Sequence, residues 1–168
     1  ADGEQDLLLA RERFSKIPEN PTEFAAIPAP LAQAIVEEIA DRGYRKVAYQ
    51  LTVSMEEAQS ETVGYWDSRA ALAYAAGETE DVLSSARRAY DQLLEQNNGI
   101  LPNTTFGRKV ANNFAAALLN SGEEVEKSLL ITARLYAAFP QAAITRINHA
   151  QALLVNYRTQ EALLVVQS

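Results

Sequence analysis

No cysteine occurs in the 168 residues, and His149 is the single histidine. Disulfides and thiolate metal sites are thereby excluded, and a zinc site, which needs several His or Cys ligands, has no donor set. Glycine and proline are scarce, at seven and six residues, so long stretches are free of helix breakers. No run reaches the roughly 18 consecutive apolar residues of a spanning helix, so no membrane insertion is expected. Positive charge is also short, with a formal net charge of -7. Duplex nucleic acid requires clustered Lys and Arg to displace counterions, and anionic membrane surfaces are disfavoured likewise. No Gly-rich phosphate loop, Gly-x-Ser-x-Gly elbow or His-Glu-x-x-His occurs, so no cofactor and no catalysis is implied.

Much apolar residue remains, 48% of the chain, enough for one domain with a continuous core. Ala, Leu, Glu and Gln dominate the periodic stretches, as helices favour. Four turns punctuate them: Arg42-Gly43-Tyr44, Ala76-Gly77-Glu78, Ser121-Gly122-Glu123 and Asn156-Tyr157-Arg158. Taking Gly43, Gly77, Gly122 and Tyr157 as markers, the separations are 34, 45 and 35 residues. A period of this size marks stacked helical repeats, in which each unit buries its apolar face against its neighbours. The expected fold is all-α, an αα-hairpin superhelix of about four helix-turn-helix units forming one domain over residues 1–168.

The pattern predicts helix pairs over about Leu31 to Arg42 and Arg45 to Ala58, Ser60 to Ala76 and Thr79 to Gln96. Gly107 to Asn120 pairs with Glu123 to Ala138, and Gln141 to Asn156 with Thr159 onward. Thr79 is expected to cap its helix ahead of Asp81. Upstream, Asp6 to Ile17 carries the stripe Leu7, Leu8, Ala10, Phe14 and Ile17, read as one more helix. Residues 18–30, with Pro18, Pro21, Pro28 and Pro30, read as an extended connector. Residues 97–106 form an inter-repeat loop rich in turn chemistry, whose Ile100, Leu101 and Phe106 either tuck into the solenoid or present a small apolar contact, tucking being the expectation. Trp66 reads as a packing anchor between helices in preference to a ligand platform. The acidic clusters at Glu37-Glu38, Glu56-Glu57, Glu78 to Asp81 and Glu123 to Glu126 read mostly as helix starts or solvated faces. The chain opens on Ala1, not Met, and its last predicted helix stops on Leu163, Leu164, Val165 and Val166 without a cap. The expectation is therefore a segment of a longer protein, or an end that packs on another molecule.

Asn113-Phe114-Ala115-Ala116-Ala117-Leu118-Leu119-Asn120-Ser121-Gly122-Glu123, followed by Ala133, Leu135, Phe139 and Pro140, resembles a tetratricopeptide repeat. That family sets a large apolar residue before a small one in the first helix, Gly at the turn, a small residue in the second helix and Pro at the exit. The small residues Ala48, Ala115, Ala150 and Ala162 would let paired helices approach, while Phe114, Leu118 and Leu153 fill the gap. Ala48, Val82 and Ala162 each lie five residues after their turn marker. The fourth unit, Asn148 to Leu153 with Gln160 to Leu163, is similar but has Tyr157 in place of glycine. The first two units match loosely: Thr52 and Gln59 stand where the family has an aromatic and a proline.

The resemblance implies that the first helix of each pair lines a concave groove. Asn113 and Asn148 stand equivalently, each two residues before the small alanine, and side-chain amides can pair with both groups of an extended peptide backbone. The alternative for Asn113 is capping or solvation of a helix surface. Lys109, Asn112, Asn120, Gln151, Asp67 and Tyr74 would line the same groove. A clamp for a C-terminal carboxylate is not expected. Lys109 with Asn112 and Asn113 resembles one, but neighbouring units offer Gln33, Glu37, Asp67, Ile144 and Ile147. His149, beside Ala150 and Leu153, reads as a packed or surface imidazole and not a general base. Asn103-Thr104-Thr105 is a glycosylation acceptor only in a secreted eukaryotic protein.

The expected function is a non-catalytic scaffold holding a peptide segment or helix of a partner protein. Two rivals stand beside it. One is an accessory domain of a larger exported or envelope-associated enzyme or biogenesis factor. The other is self-assembly into a homo-oligomer through the terminal helix. The sequence leaves the compartment open between cytoplasm and bacterial periplasm.

Overall fold

The computed structural model describes residues 27–167 together with Glu12. The expected helix over Asp6 to Ile17 and most of the connector at 18–30 lie outside the described residues. Nine α-helices and no strand occur among the described residues. None is long and apolar enough to cross a membrane. The chain divides into two compact units, Ala1–Ser85 and Ala86–Ser168, with the boundary inside a helix.

In the first unit α1 spans Ala29–Asp41, α2 Arg45–Ser54, α3 Glu56–Gln59 and α4 Val63–Ala76. Helix α1 begins within the expected connector, because Pro30 sits in its first turn, where the missing N–H costs nothing. Ala32, Val36 and Ile39 form its buried stripe; α1 packs on α2 and α2 on α4. The helix expected over Arg45 to Ala58 breaks at Met55. The Ser54 hydroxyl donates to the Leu51 carbonyl at 2.7 Å, competing with the ladder at the break. Helix α4 starts later than expected because Thr62 caps it, its hydroxyl accepting from the Tyr65 N–H at 3.3 Å. Trp66 is 2% exposed and donates from Nε1 to the Ser60 carbonyl, so it anchors packing as expected.

Helix α5, Thr79–Gln96, contains the boundary between the units. The Glu78 carbonyl accepts from Asp81 and Val82, so Thr79 is the first helical residue and not the cap. The second unit continues with α6, Thr105–Ser121, α7, Val125–Ala138, α8, Ala143–Val155, and α9, Thr159–Gln167. There α6 packs on α7, α7 on α8, α8 on α9, and α6 also reaches α8. Phe114 and Leu118 are fully buried, and the Tyr90 and Phe114 ring centroids lie 4.8 Å apart. Ala150, Leu153, Ala162 and Val165 form a core patch, with Leu129 and Tyr136 packed against it. Leu163, Leu164 and Val166 are exposed on α9.

The four markers share one backbone state. Gly43, Gly77, Gly122 and Tyr157 have φ of 94°, 84°, 74° and 60°. At three of them the next N–H closes the helix end: Tyr44 donates to Ile39, Glu78 to Ala73 and Arg158 to Leu153. The third turn carries one extra residue, Glu124, at φ 43° before α7 starts. The insertion moves the small-residue position back by one. Lys127 occupies the place five after the marker; Ser128, six after it, is fully buried and donates to the Ala115 carbonyl at 3.0 Å.

Candidate functional site

The N-terminal half of α6 faces α8 across a cleft of about 460 Å³. Thr104 sets the start of α6, its side-chain oxygen accepting from the Gly107 N–H at 3.0 Å. Burial of Val110, Ala111, Phe114 and Ala115 on the opposite face turns Arg108, Lys109, Asn112 and Asn113 toward the cleft. Across from them stand Phe139, Ile144 and Thr145. The Thr145 hydroxyl lies 2.9 Å from the Phe139 carbonyl and 2.8 Å from that of Ala142, pinning the loop that enters α8. The Arg108 guanidinium lies 3.9 Å above the Phe139 ring and donates to the Thr105 hydroxyl at 3.1 Å. The wall is therefore mixed: an apolar side, a stacked cation and two side-chain amides.

Three of the eight residues named from the sequence, Lys109, Asn112 and Asn113, line this cleft. Asn148 is only 7% exposed, and its Nδ2 donates to Asn112 Oδ1 at 2.8 Å. It thus meets Asn112, one residue before its expected equivalent. Asn120 on α6 and Gln151 on α8 are exposed but do not line the cleft. In the first unit, Tyr74 is 69% exposed on α4 while Asp67 is 2% exposed, inside the wall and not on it. Comparison with known protein families, curated proteins and solved structures finds no match to this chain.

A second cleft of about 390 Å³ adjoins the same Arg108 and Phe139. Its other walls are the loop Gly99 to Asn103 and α7, which contributes Arg134, Leu135 and Ala138. Ile100 and Phe106 are 69% and 42% exposed, so the expected inward tuck does not occur at either. The loop is held by backbone: a Cβ on Gly107 would lie 2.4 Å from the Pro102 carbonyl oxygen.

A polar cluster that helical periodicity does not signal lies in the first unit. Arg69 donates from Nε to Asp81 Oδ2 at 2.7 Å, and from Nη1 to Glu56 at 2.5 Å and to the Tyr65 hydroxyl at 3.1 Å. Tyr49 donates to Asp81 Oδ2 at 2.9 Å, and Ser85 to its Oδ1 at 3.1 Å. Burial pushes the Asp81 carboxyl up, but the Arg69, Tyr49 and Ser85 hydrogen bonds and the Arg69 charge together hold it below its usual range. Burial and the bond to Asp81 push the Tyr49 hydroxyl up to about 12. Asp81 lies in the first turn of α5, as expected, but its side chain is largely buried and ties α2, α4 and α5 together. Its partners lie as far as 32 residues away, a distance that helical spacing alone cannot connect.

His149 is 9% exposed, with its ring stacked 5.2 Å from Tyr136 and Nδ1 3.2 Å from the Thr132 hydroxyl. Burial, then the charge of Arg158, lowers its basicity, while Glu161 opposes them. The ring lies in the packing between α7 and α8, away from the residues lining either cleft. Among the described residues no cluster of three His, Asp or Glu side chains could hold a metal ion.

Proposed function

We propose that the chain is a tetratricopeptide-like binding module whose α6–α8 cleft holds an extended peptide segment of a partner protein. One observation carries the reading: two helix-borne amides, Asn112 and Asn113, flank an apolar wall of Phe139 and Ile144 in an open cleft of about 460 Å³. An amide offers a donor and an acceptor at fixed separation, which matches a peptide backbone whatever its side chains. The Asn148–Asn112 hydrogen bond supports one wall from behind, so Asn112 loses little freedom when a ligand arrives. The recurrence of left-handed turns at Gly43, Gly77, Gly122 and Tyr157 supports the repeat reading.

The role is non-catalytic. The reading is tested by substituting Asn112 and Asn113 with Ala and measuring the affinity of a peptide selected on the intact protein. Each substitution is expected to weaken binding about fivefold to tenfold, the loss of one or two hydrogen bonds. Unchanged affinity in folded variants removes the cleft from the account.

A further inference from the structure

Arg108 and Arg134 line one cleft, and neither makes an ion pair with any described residue. Arg42, Arg69, Arg87 and Arg158, by contrast, are paired with carboxylates. No Asp or Glu contributes to the lining. The guanidinium carbon of Arg108 lies 3.9 Å from the Phe139 ring centroid, with Thr105 accepting from one nitrogen. With Phe139 against its face and Thr105 on one nitrogen, the remaining N–H groups are those available to a carboxylate, which a guanidinium grips through two parallel bonds. Beside the two cations stand Ile100, Leu101 and Pro102, and Ile100 is 69% exposed.

We infer that this second cleft receives an acidic side chain, Asp or Glu, of the bound partner peptide, with an adjacent apolar residue seated against Ile100 and Phe139. The inference rests on the peptide reading of the α6–α8 cleft. Because Arg108 and Phe139 belong to both clefts, one extended segment passing over them meets the amides first and the paired arginines next. Arg108 supplies the fork, and Arg134 adds the second positive charge. A partner carrying an amide in place of the carboxylate would leave two guanidinium groups uncompensated at the contact. Charge complementarity therefore selects partners that an amide ladder, indifferent to side chains, would accept equally.

The test uses two labelled 12-residue probes, N-acetylated and C-amidated so that no terminal carboxylate is present. One alternates Asp and Leu; the other alternates Asn and Leu. Fluorescence anisotropy on the full chain should show the Asp probe binding about tenfold tighter, as expected for a charge-assisted bidentate contact. Arg134→Ala, at an exposed position, and Arg108→Lys, which keeps charge but loses the fork, should each shrink that difference to about threefold or less. Asn113→Ala should weaken both probes alike. If both probes bind equally and respond only to Asn113→Ala, the acidic preference is wrong while the groove stands. If neither probe binds, the groove reading and this inference fall together.

Discussion

Arg69 reaches Asp81 through Nε at 2.7 Å while its Nη1 holds Glu56 at 2.5 Å, joining the short α3, α4 and the start of α5 in one polar cluster. The Arg69 and Asp81 side chains are 11% and 17% exposed, so neither partner can be rehydrated cheaply if the other is lost. Arg69→Ala should therefore cost about 3 kcal/mol, the usual range for stranding a buried charge. Urea unfolding with an unchanged m-value would report it; a loss under 1 kcal/mol would reduce the cluster to surface decoration.

The same cluster sets an acid response. The folded-state pKa of Asp81 is held below its ordinary value, so its contribution is present above the unfolded carboxylate value near 3.9 and is lost as pH falls through the folded value. Stability should drop below about pH 4, and Arg69→Ala should flatten that part of the profile. A variant with the same acid slope as the parent would show that other carboxylates carry it.

His149 offers an independent check, because the ring C–H resonances of a sole histidine are assigned without ambiguity. Burial lowers its pKa from the ordinary value near 6.5. The unfolded chain therefore takes up a proton first as pH falls below about 6.5, and this ring withdraws stability on the acid side of that value. NMR titration should give a midpoint below 6.5; a midpoint at or above it would mean that the ring is solvated or held by Glu161.

Tyr157 and Gly122 test the turns. Tyr157 is 94% exposed at φ 60°, so its side chain contributes little packing while its Cβ strains the left-handed backbone. Tyr157→Gly should stabilise the chain by about 1 kcal/mol, and Gly122→Ala, at φ 74° with open space around it, should cost about the same. Thermal unfolding of the two variants should move in opposite directions; a loss for Tyr157→Gly would reveal packing by the ring.

Gly107→Ala should act differently, by collision. The new Cβ would lie 2.4 Å from the Pro102 backbone oxygen, which cannot rotate away. Displacing the 97–104 segment should cost roughly 1–3 kcal/mol and open the second cleft. The expected readout is faster amide exchange at residues 99–103; unaltered exchange would place the loop under other control.

Helix identity was readable because apolar stripes and turn residues repeat locally. The expected helix bounds differ from the observed ones by only a few residues, as at Thr62, and the bounds Thr79–Gln96 coincide. What escaped was set by single residues or by distance along the chain. Glu124 adds one left-handed residue and shifts the α7 register by one, which no period reveals. Asn148 proves to contact Asn112 rather than to stand open, because α8 packs its amide inward. Arg108 gains its place from lying over Phe139, 31 residues on, a contact made only when α6 and the end of α7 come together.

Amide-resolved NMR of the 15N-labelled chain, titrated with a peptide selected from a random 12-residue library, addresses the binding role most directly. Saturable shifts should concentrate at Lys109, Asn112, Asn113 and Ile144, including the side-chain amides of both asparagines. Shifts confined to residues outside the α6–α8 cleft, or a library that yields no binder at all, would contradict it.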